Sequence, residues 1–153
     1  MRRRVAREIA LQSLYQIDMN GVSAHEAVEV AVHEAENDNE AQVDGKEKIM
    51  PEYIRELVTG TLNNRDRIDQ LLSGYLKGWQ IDRLSRVDRE VLRLAAFEML
   101  FQEDVPPKVV VNEAIDLAKH FGTDDSGKFV NGVLGKMIKD ADALRDEVRK
   151  GKE

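Results

Sequence analysis

From Val87 to Leu100 this chain has almost no polar side. Val87, Val91, Leu92, Leu94, Ala95, Phe97, Met99 and Leu100 point in nearly every direction around a helix. A helix without a polar face must be enclosed, so the segment predicts a central, largely buried helix walled by other elements. Ser85-Arg-Val-Asp88 opens it as a capping box, in which the serine hydroxyl accepts from the amide three residues on.

The rest of the chain keeps the helical period and contains no run of alternating strands. The one β-branched triplet, Val109–Val111, follows Pro106–Pro107 and leads into Asn112–Leu117 at helical spacing. A first helix is predicted from about Arg3 to Met19, with Val5, Ile9, Ala10, Ser13 and Ile17 on one side and Asn20–Gly21 as its stop. Ser23-Ala-His-Glu26 starts a second, running to about Glu36. Asn37–Lys48 is polar and acidic and reads as a surface loop. Pro51 suits the first turn of a third helix that runs to Leu76, with a bend near Gly60 or Asn63–Asn64. Gly78–Ile81 is a short link, and Trp79 is expected to pack between two bundles.

After the central helix, Pro107 starts a fifth that ends near Phe121. Gly122–Ser126 reads as a polar turn, and a sixth helix runs from about Gly127 to Ile138. Short links make neighbouring helices antiparallel. The expected architecture is all-α, with two small helical bundles packed together. Residues 1–140 form one domain, with helices one to three and four to six as its sub-bundles. Residues 141–153 are a charged tail expected to fray.

Several chemistries are excluded by what the sequence lacks. Without cysteine there is no disulfide, no thiolate metal site and no thiol nucleophile. No apolar run approaches the roughly 20 residues needed to span a bilayer. Met1–Arg4 leads into an amphipathic pattern rather than an apolar leader, so a cytoplasmic protein is expected. Gly122-Thr-Asp-Asp-Ser-Gly127-Lys128 matches the first part of a phosphate-binding loop. It has Phe129 where a hydroxyl must hold magnesium, and Asp124 and Asp125 would face a phosphate with like charge. His25 and His33 are eight residues apart, two turns rather than the one that chelates. No nucleophile, base and orienting group occur together. No catalytic residue, metal ligand or cofactor is expected.

The formal net charge of −6 argues against a polyanionic partner only as an average. Residues 1–20 set Arg2, Arg3, Arg4 and Arg7 against Glu8 and Asp18, for +2. Residues 21–47 carry −7 and residues 48–153 carry −1. Local field decides where a polyanion docks. On the first helix Arg3, Arg4, Arg7, Leu11 and Tyr15 fall within an arc of about 120°. Guanidinium groups pair with phosphates and stack on bases, and an exposed tyrosine stacks on an unpaired base. Leu11 and Tyr15 fit a broad apolar face equally well.

Longer stretches carry a resemblance. Arg-Val-Ala-Arg7-Glu-Ile-Ala-Leu-Gln12-Ser-Leu-Tyr15-Gln-Ile-Asp18 is similar to the opening of the NusB transcription antitermination family. Trp79 to Ala95, then Phe97-Glu98-Met-Leu, resemble its middle. Asn112-Glu113-Ala-Ile-Asp-Leu-Ala-Lys119 and Lys128-Phe129-Val-Asn131-Gly132-Val-Leu134 are the most specific matches. All stand in family order, from about Arg2 to Ile138.

The resemblance implies a NusB-like fold and binding of the single-stranded boxA RNA of ribosomal and phage leader transcripts. The implied partners are the ribosomal protein NusE and the RNA polymerase antitermination complex. The RNA contacts it implies are Arg2, Arg3, Arg4, Arg7, Gln12 and Tyr15, then Asp125, Lys128, Phe129 and Asn131. Asp125 has helix capping as its alternative role, and Phe129 has core packing. For the protein partner it points to the surface opened by the fourth helix, with Asp88 and Arg89 as candidates. The acidic segment 21–47 would repel RNA elsewhere and so fix its orientation. Two other classes compete: a helical adaptor that binds only protein, and an RNA-binding domain of the kind joined to RNA methyltransferases. The chain leaves little length after the sixth helix for a catalytic domain.

Overall fold

The computed structural model describes residues 2–37, 50–78, 80–102 and 104–151, and among these it contains only helices, short 3-10 turns and their links. Of the segment Asn37–Lys48 expected to be a surface loop, Asn37 ends a helix and residues 38–48 lie outside the described residues, as does Trp79 with its expected packing role. No described helix is long and apolar enough to cross a membrane. The chain divides into two compact units, residues 1–62 and 63–153.

The first unit holds α1 (Arg2–Asn20), α2 (Ala24–Asn37) and α3 (Pro51–Asn63). α1 stops where Gly21 turns to φ +69°, its amide donating to the Ile17 carbonyl at 3.0 Å. Glycine reaches that left-handed conformation without a side-chain penalty. Ser23 caps α2 by accepting from the Glu26 amide at 3.1 Å. α1 and α2 pack against each other. The unit's buried residues include Ala6, Ile9, Ala10 and Leu14 on α1, Val28 and Val32 on α2, and Ile54, Leu57 and Val58 on α3. Each large one contributes about 1.5–3 kcal/mol by leaving water. Arg55 ties α3 to α2 through Glu29 (Nε to Oε1, 3.1 Å) and also pairs with Glu52. The guanidinium holds the Glu29 carboxyl below the usual carboxylate range.

The expected third helix is two helices. Asn64 breaks it, α4 spans Arg65–Ser73, and α4 falls in the second unit. Then come a 3-10 turn (Ile81–Arg83), α5 (Arg86–Leu100), α6 (Pro107–Phe121), α7 (Asp124–Met137), a 3-10 turn (Ile138–Asp140) and α8 (Ala141–Gly151). α5 is the predicted central helix. It touches α4, α6, α7 and α8, and every residue from Glu90 to Leu100 is buried. Ser85 caps it, accepting from the Asp88 amide at 3.2 Å.

The residues expected to fray form α8. Ala141, Leu144 and Val148 recur at i, i+3 and i+7, and Ala141 and Val148 are buried. Arg145 fastens α8 to α5, its Nε donating to the Met99 carbonyl at 2.8 Å.

α5 also buries charges. Arg93 makes two 2.8 Å bonds to the Asp69 carboxylate of α4 and a 2.9 Å bond from Nη1 to Glu90. A planar guanidinium serves two carboxylates at once without leaving a donor edge idle.

Tyr75, in the turn after α4, donates its hydroxyl to Asp140 Oδ2 at 2.7 Å. Burial, then the Asp140 carboxylate, push the phenol up to about 12. The unfolded phenol ionises near 10, so this contribution is complete below pH 10 and is lost as the pH rises from 10 to about 12. Thermal melts across that window should fall faster for the native chain than for Tyr75→Phe. Parallel curves would refute the assignment.

Candidate nucleic-acid interface

The sequence-predicted contacts divide between the two units. Arg2 opens α1, and its side chain lies outside the described residues. Arg4 and Gln12 are exposed, and Tyr15 is half-buried. These three stand within about 80° of one another around α1, and Arg4 and Tyr15 are separated along the axis by about 16 Å. Arg3 is half-buried, its guanidinium 5.2 Å from the centre of the Tyr53 ring on α3. That ring holds the cation by its negative face. Arg3 Nη1 is buried with no hydrogen-bond partner among the described residues.

Arg7 does not belong with them. It is 2% exposed, one of the largest fully buried side chains, and Leu11 beside it is 3% exposed. The arc that joined Arg3, Arg7 and Leu11 to Arg4 and Tyr15 therefore straddles the boundary between core and surface. α1 buries a wider stripe than its apolar residues alone define, and the aliphatic stem of an arginine packs as an apolar group would. Arg7 is corrected from an RNA contact to a residue of the buried face.

In the second unit the decisive feature is how α7 starts. Thr123 and Ser126 cap each other reciprocally: the Ser126 amide donates to Thr123 Oγ1 at 3.2 Å, and the Thr123 amide to Ser126 Oγ at 3.3 Å. The expected polar turn is thus the helix's own first turn, and α7 begins three residues earlier than predicted. The cap is provided without Asp125, which leaves that carboxylate exposed on the first turn. Asp125, Lys128 and Phe129 follow at i, i+3 and i+4 on one face, with Asn131 beside them. Lys128 and Asn131 are exposed, and Phe129 is half-buried rather than sunk in the core. One turn of helix thus offers an acceptor, a cation and a ring edge.

Two glycines shape this turn. A Cβ at Gly122 would lie 2.9 Å from the Ala118 carbonyl oxygen and 2.6 Å from Ser126 Oγ, so α6 can pass into α7 this tightly only through glycine. A Cβ at Gly127 would lie 2.6 Å from Lys119 Cγ and 2.9 Å from its Cε. The Lys119 stem therefore crosses the first turn of α7 at Gly127, and Lys119, like Lys128, is an exposed residue. Sequence reasoning passed over Lys119 as a contact. Its only local signal is a glycine at a helical position where alanine is ordinarily better by about 1 kcal/mol.

Asp88 and Arg89, the candidates for a protein partner, separate in character. Asp88 Oδ1 is buried with no hydrogen-bond partner among the described residues, an acceptor that the Ser85 cap does not use. Arg89 is turned inward. Its Nη1 reaches the carbonyls of Asp82 at 3.4 Å and Leu84 at 3.5 Å, and its Nε stands 3.5 Å from Glu90. It is not a solvated arginine, because the 81–84 turn closes over it.

Known proteins resemble this chain in sequence and in fold. The NusB family model matches residues 4–139. The transcription antitermination protein NusB of Bacillus licheniformis is 45% identical over 140 residues, covering 92% of this chain and 98% of its own. The solved NusB of T. maritima superposes with a TM-score of 0.74 at 36% identity, covering 91% of each chain. A chain from a crystal structure of the antitermination factors NusB and NusE in complex with double-stranded RNA superposes with a TM-score of 0.73 at 31% identity. It covers 90% of this chain and 96% of that one.

Proposed function

Because this chain belongs to the NusB family, we propose that it is an RNA-binding antitermination factor that recognises boxA RNA of ribosomal RNA leader transcripts jointly with the ribosomal protein NusE. It acts by binding rather than by chemistry, in the cytoplasm, as a component of the RNA polymerase antitermination complex. The observation that carries this reading is the first turn of α7. The Thr123–Ser126 cap leaves Asp125 unengaged beside Lys128 and Phe129, which suits a base edge, a phosphate and a base face.

The proposed contacts are Arg2, Arg3, Arg4, Gln12 and Tyr15 on the first unit and Asp125, Lys128, Phe129 and Asn131 on the second. Lys119 is added to them. The cations supply affinity that falls with salt, and the rings select bases that are not stacked in a duplex. Asp88, with its unmet acceptor, is the proposed NusE contact, and Arg89 positions the turn beside it. The solved relative holds double-stranded RNA together with NusE, so strandedness belongs in the test.

Fluorescence anisotropy with labelled single-stranded boxA RNA, a scrambled strand and a boxA duplex measures the reading directly. The single strand should bind best, more tightly still with NusE present. Arg4→Ala with Lys128→Ala should reduce the slope of log K against log salt by about 1.4, about 0.7 for each phosphate no longer neutralised. Equal affinity for all three RNAs would sink the reading.

A further inference from the structure

Three lysines meet at the far end of α7 from the first-turn site, outside the interface described above. Lys77 lies in the turn after α4, Lys136 in the last turn of α7, and Lys139 in the 3-10 turn that follows. All three are exposed. Lys77 first, and then Lys139 through its charge, hold Lys136 below the usual lysine range. Among the described residues none of the three has an ion-pair partner.

The clustering is built in. Lys77 sits at φ +20° and Gly78 at φ +81°, a left-handed turn that a lysine adopts only at a cost. The Tyr75–Asp140 hydrogen bond ties that turn to the segment carrying Lys139.

The surface between the two ends of α7 is bare. Lys128, Gly132, Gly135 and Lys136 fall within an arc of about 100°. A Cβ at Gly132 would meet nothing within 4 Å, and one at Gly135 only Asn131 Oδ1 at 3.8 Å. Packing inside the protein therefore demands neither glycine, unlike Gly122 and Gly127. Both weaken the helix relative to alanine without an internal return. Their effect is to leave a strip of backbone open to close approach between two groups of cations. Lys128 and Lys139 are about 16 Å apart along that strip.

We propose that Lys77, Lys136 and Lys139 form a second phosphate-binding subsite, which holds the backbone of RNA flanking the segment bound at the first turn of α7. The inference rests on the RNA-binding reading above and extends its footprint along α7. A phosphodiester chain suits the cluster because its charges are spaced along a line and need no base-specific partner. Neutralising like charges that repel one another in the free protein adds to the gain on binding.

The test compares a boxA strand alone with strands extended by several nucleotides at one end or the other. Wild-type protein and the variant K77Q/K136Q/K139Q are titrated against each across a salt series. One extended strand should bind the wild type more tightly, with a slope steeper by about 2 for three phosphates. The variant should bind the short strand as the wild type does and lose the gain from the extension. If extension at either end leaves wild-type affinity and slope unchanged, the subsite is refuted while the first-turn site stands. If the wild type binds neither short nor extended boxA RNA, the parent reading fails and takes this one with it. If the variant keeps both RNA affinities but binds NusE at least tenfold more weakly, the cluster belongs to the protein partner and the proposal is overturned.

Discussion

Replacing Arg93 by alanine is expected to remove about 3–5 kcal/mol of folding stability. Arg93 bridges Asp69 and Glu90 from the centre of the second unit. Glu90 is 2% exposed. Without the guanidinium its buried carboxylate loses the short 2.9 Å bond from Arg93 and keeps the longer 3.5 Å approach of Arg89. Burying a charge is costly, and the attraction that compensates it depends on short, well-directed bonds. Urea unfolding should show a lower midpoint at an unchanged slope. Glu90→Gln combined with Arg93→Ala should cost less than Arg93→Ala alone, because the second change removes the stranded charge. A loss below about 1 kcal/mol for Arg93→Ala, the ordinary yield of an exposed pair, would mean that the cluster is solvated and adds little.

The largest effect on binding is expected from Phe129→Ala, a loss of about 1–3 kcal/mol in RNA affinity, with the salt slope unchanged. Stacking carries no net charge transfer, so removing the ring should not alter the number of counterions released. Phe129→Tyr keeps a π-face and should retain most of the affinity, and thermal melts separate loss of binding from loss of folding. Affinity unchanged in Phe129→Ala would return the ring to a packing role. A changed slope would mean that the variant had shifted Lys128 as well.

The helical elements were legible because their signals are local. Gly21 and Ser23 are stop and start signals read within one turn, and the structure uses both. The apolar girth of Val87–Leu100 predicted a helix enclosed by others, and α5 touches four. Where sequence reasoning missed, the signal was present but outweighed. Ala141, Leu144 and Val148 keep helical spacing in α8 amid charged residues that suggested fraying. Thr123 and Ser126 are a legible capping pair, but the glycines at 122 and 127 made the segment look like a loop. Asn64 was expected to bend a helix and instead ends one.

The candidate site was legible as a set of residue types and only partly as a surface. Arg4, Gln12, Lys128 and Asn131 are exposed as a binding role requires. Arg7 carries the same chemistry as Arg4 and lies three residues away, yet it is buried. Periodicity orders residues around a helix but does not say how wide the buried stripe is. That width depends on what the neighbouring helices present.

The sequence by itself determined that this chain is helical, where most helices start and stop, which helix is central, and which family it belongs to. Those properties follow from relations over three or four residues, or from motifs read in order. Tertiary structure alone decided which charges are internal and which face water. Arg93 meets Asp69 across 24 positions and Arg145 meets Met99 across 46. Tyr75 meets Asp140 across 65, which brings the turn carrying Lys77 to the segment carrying Lys139. Burial and electrostatic pairing act through space at a few ångströms, so a side chain's role is settled by residues that no local window contains.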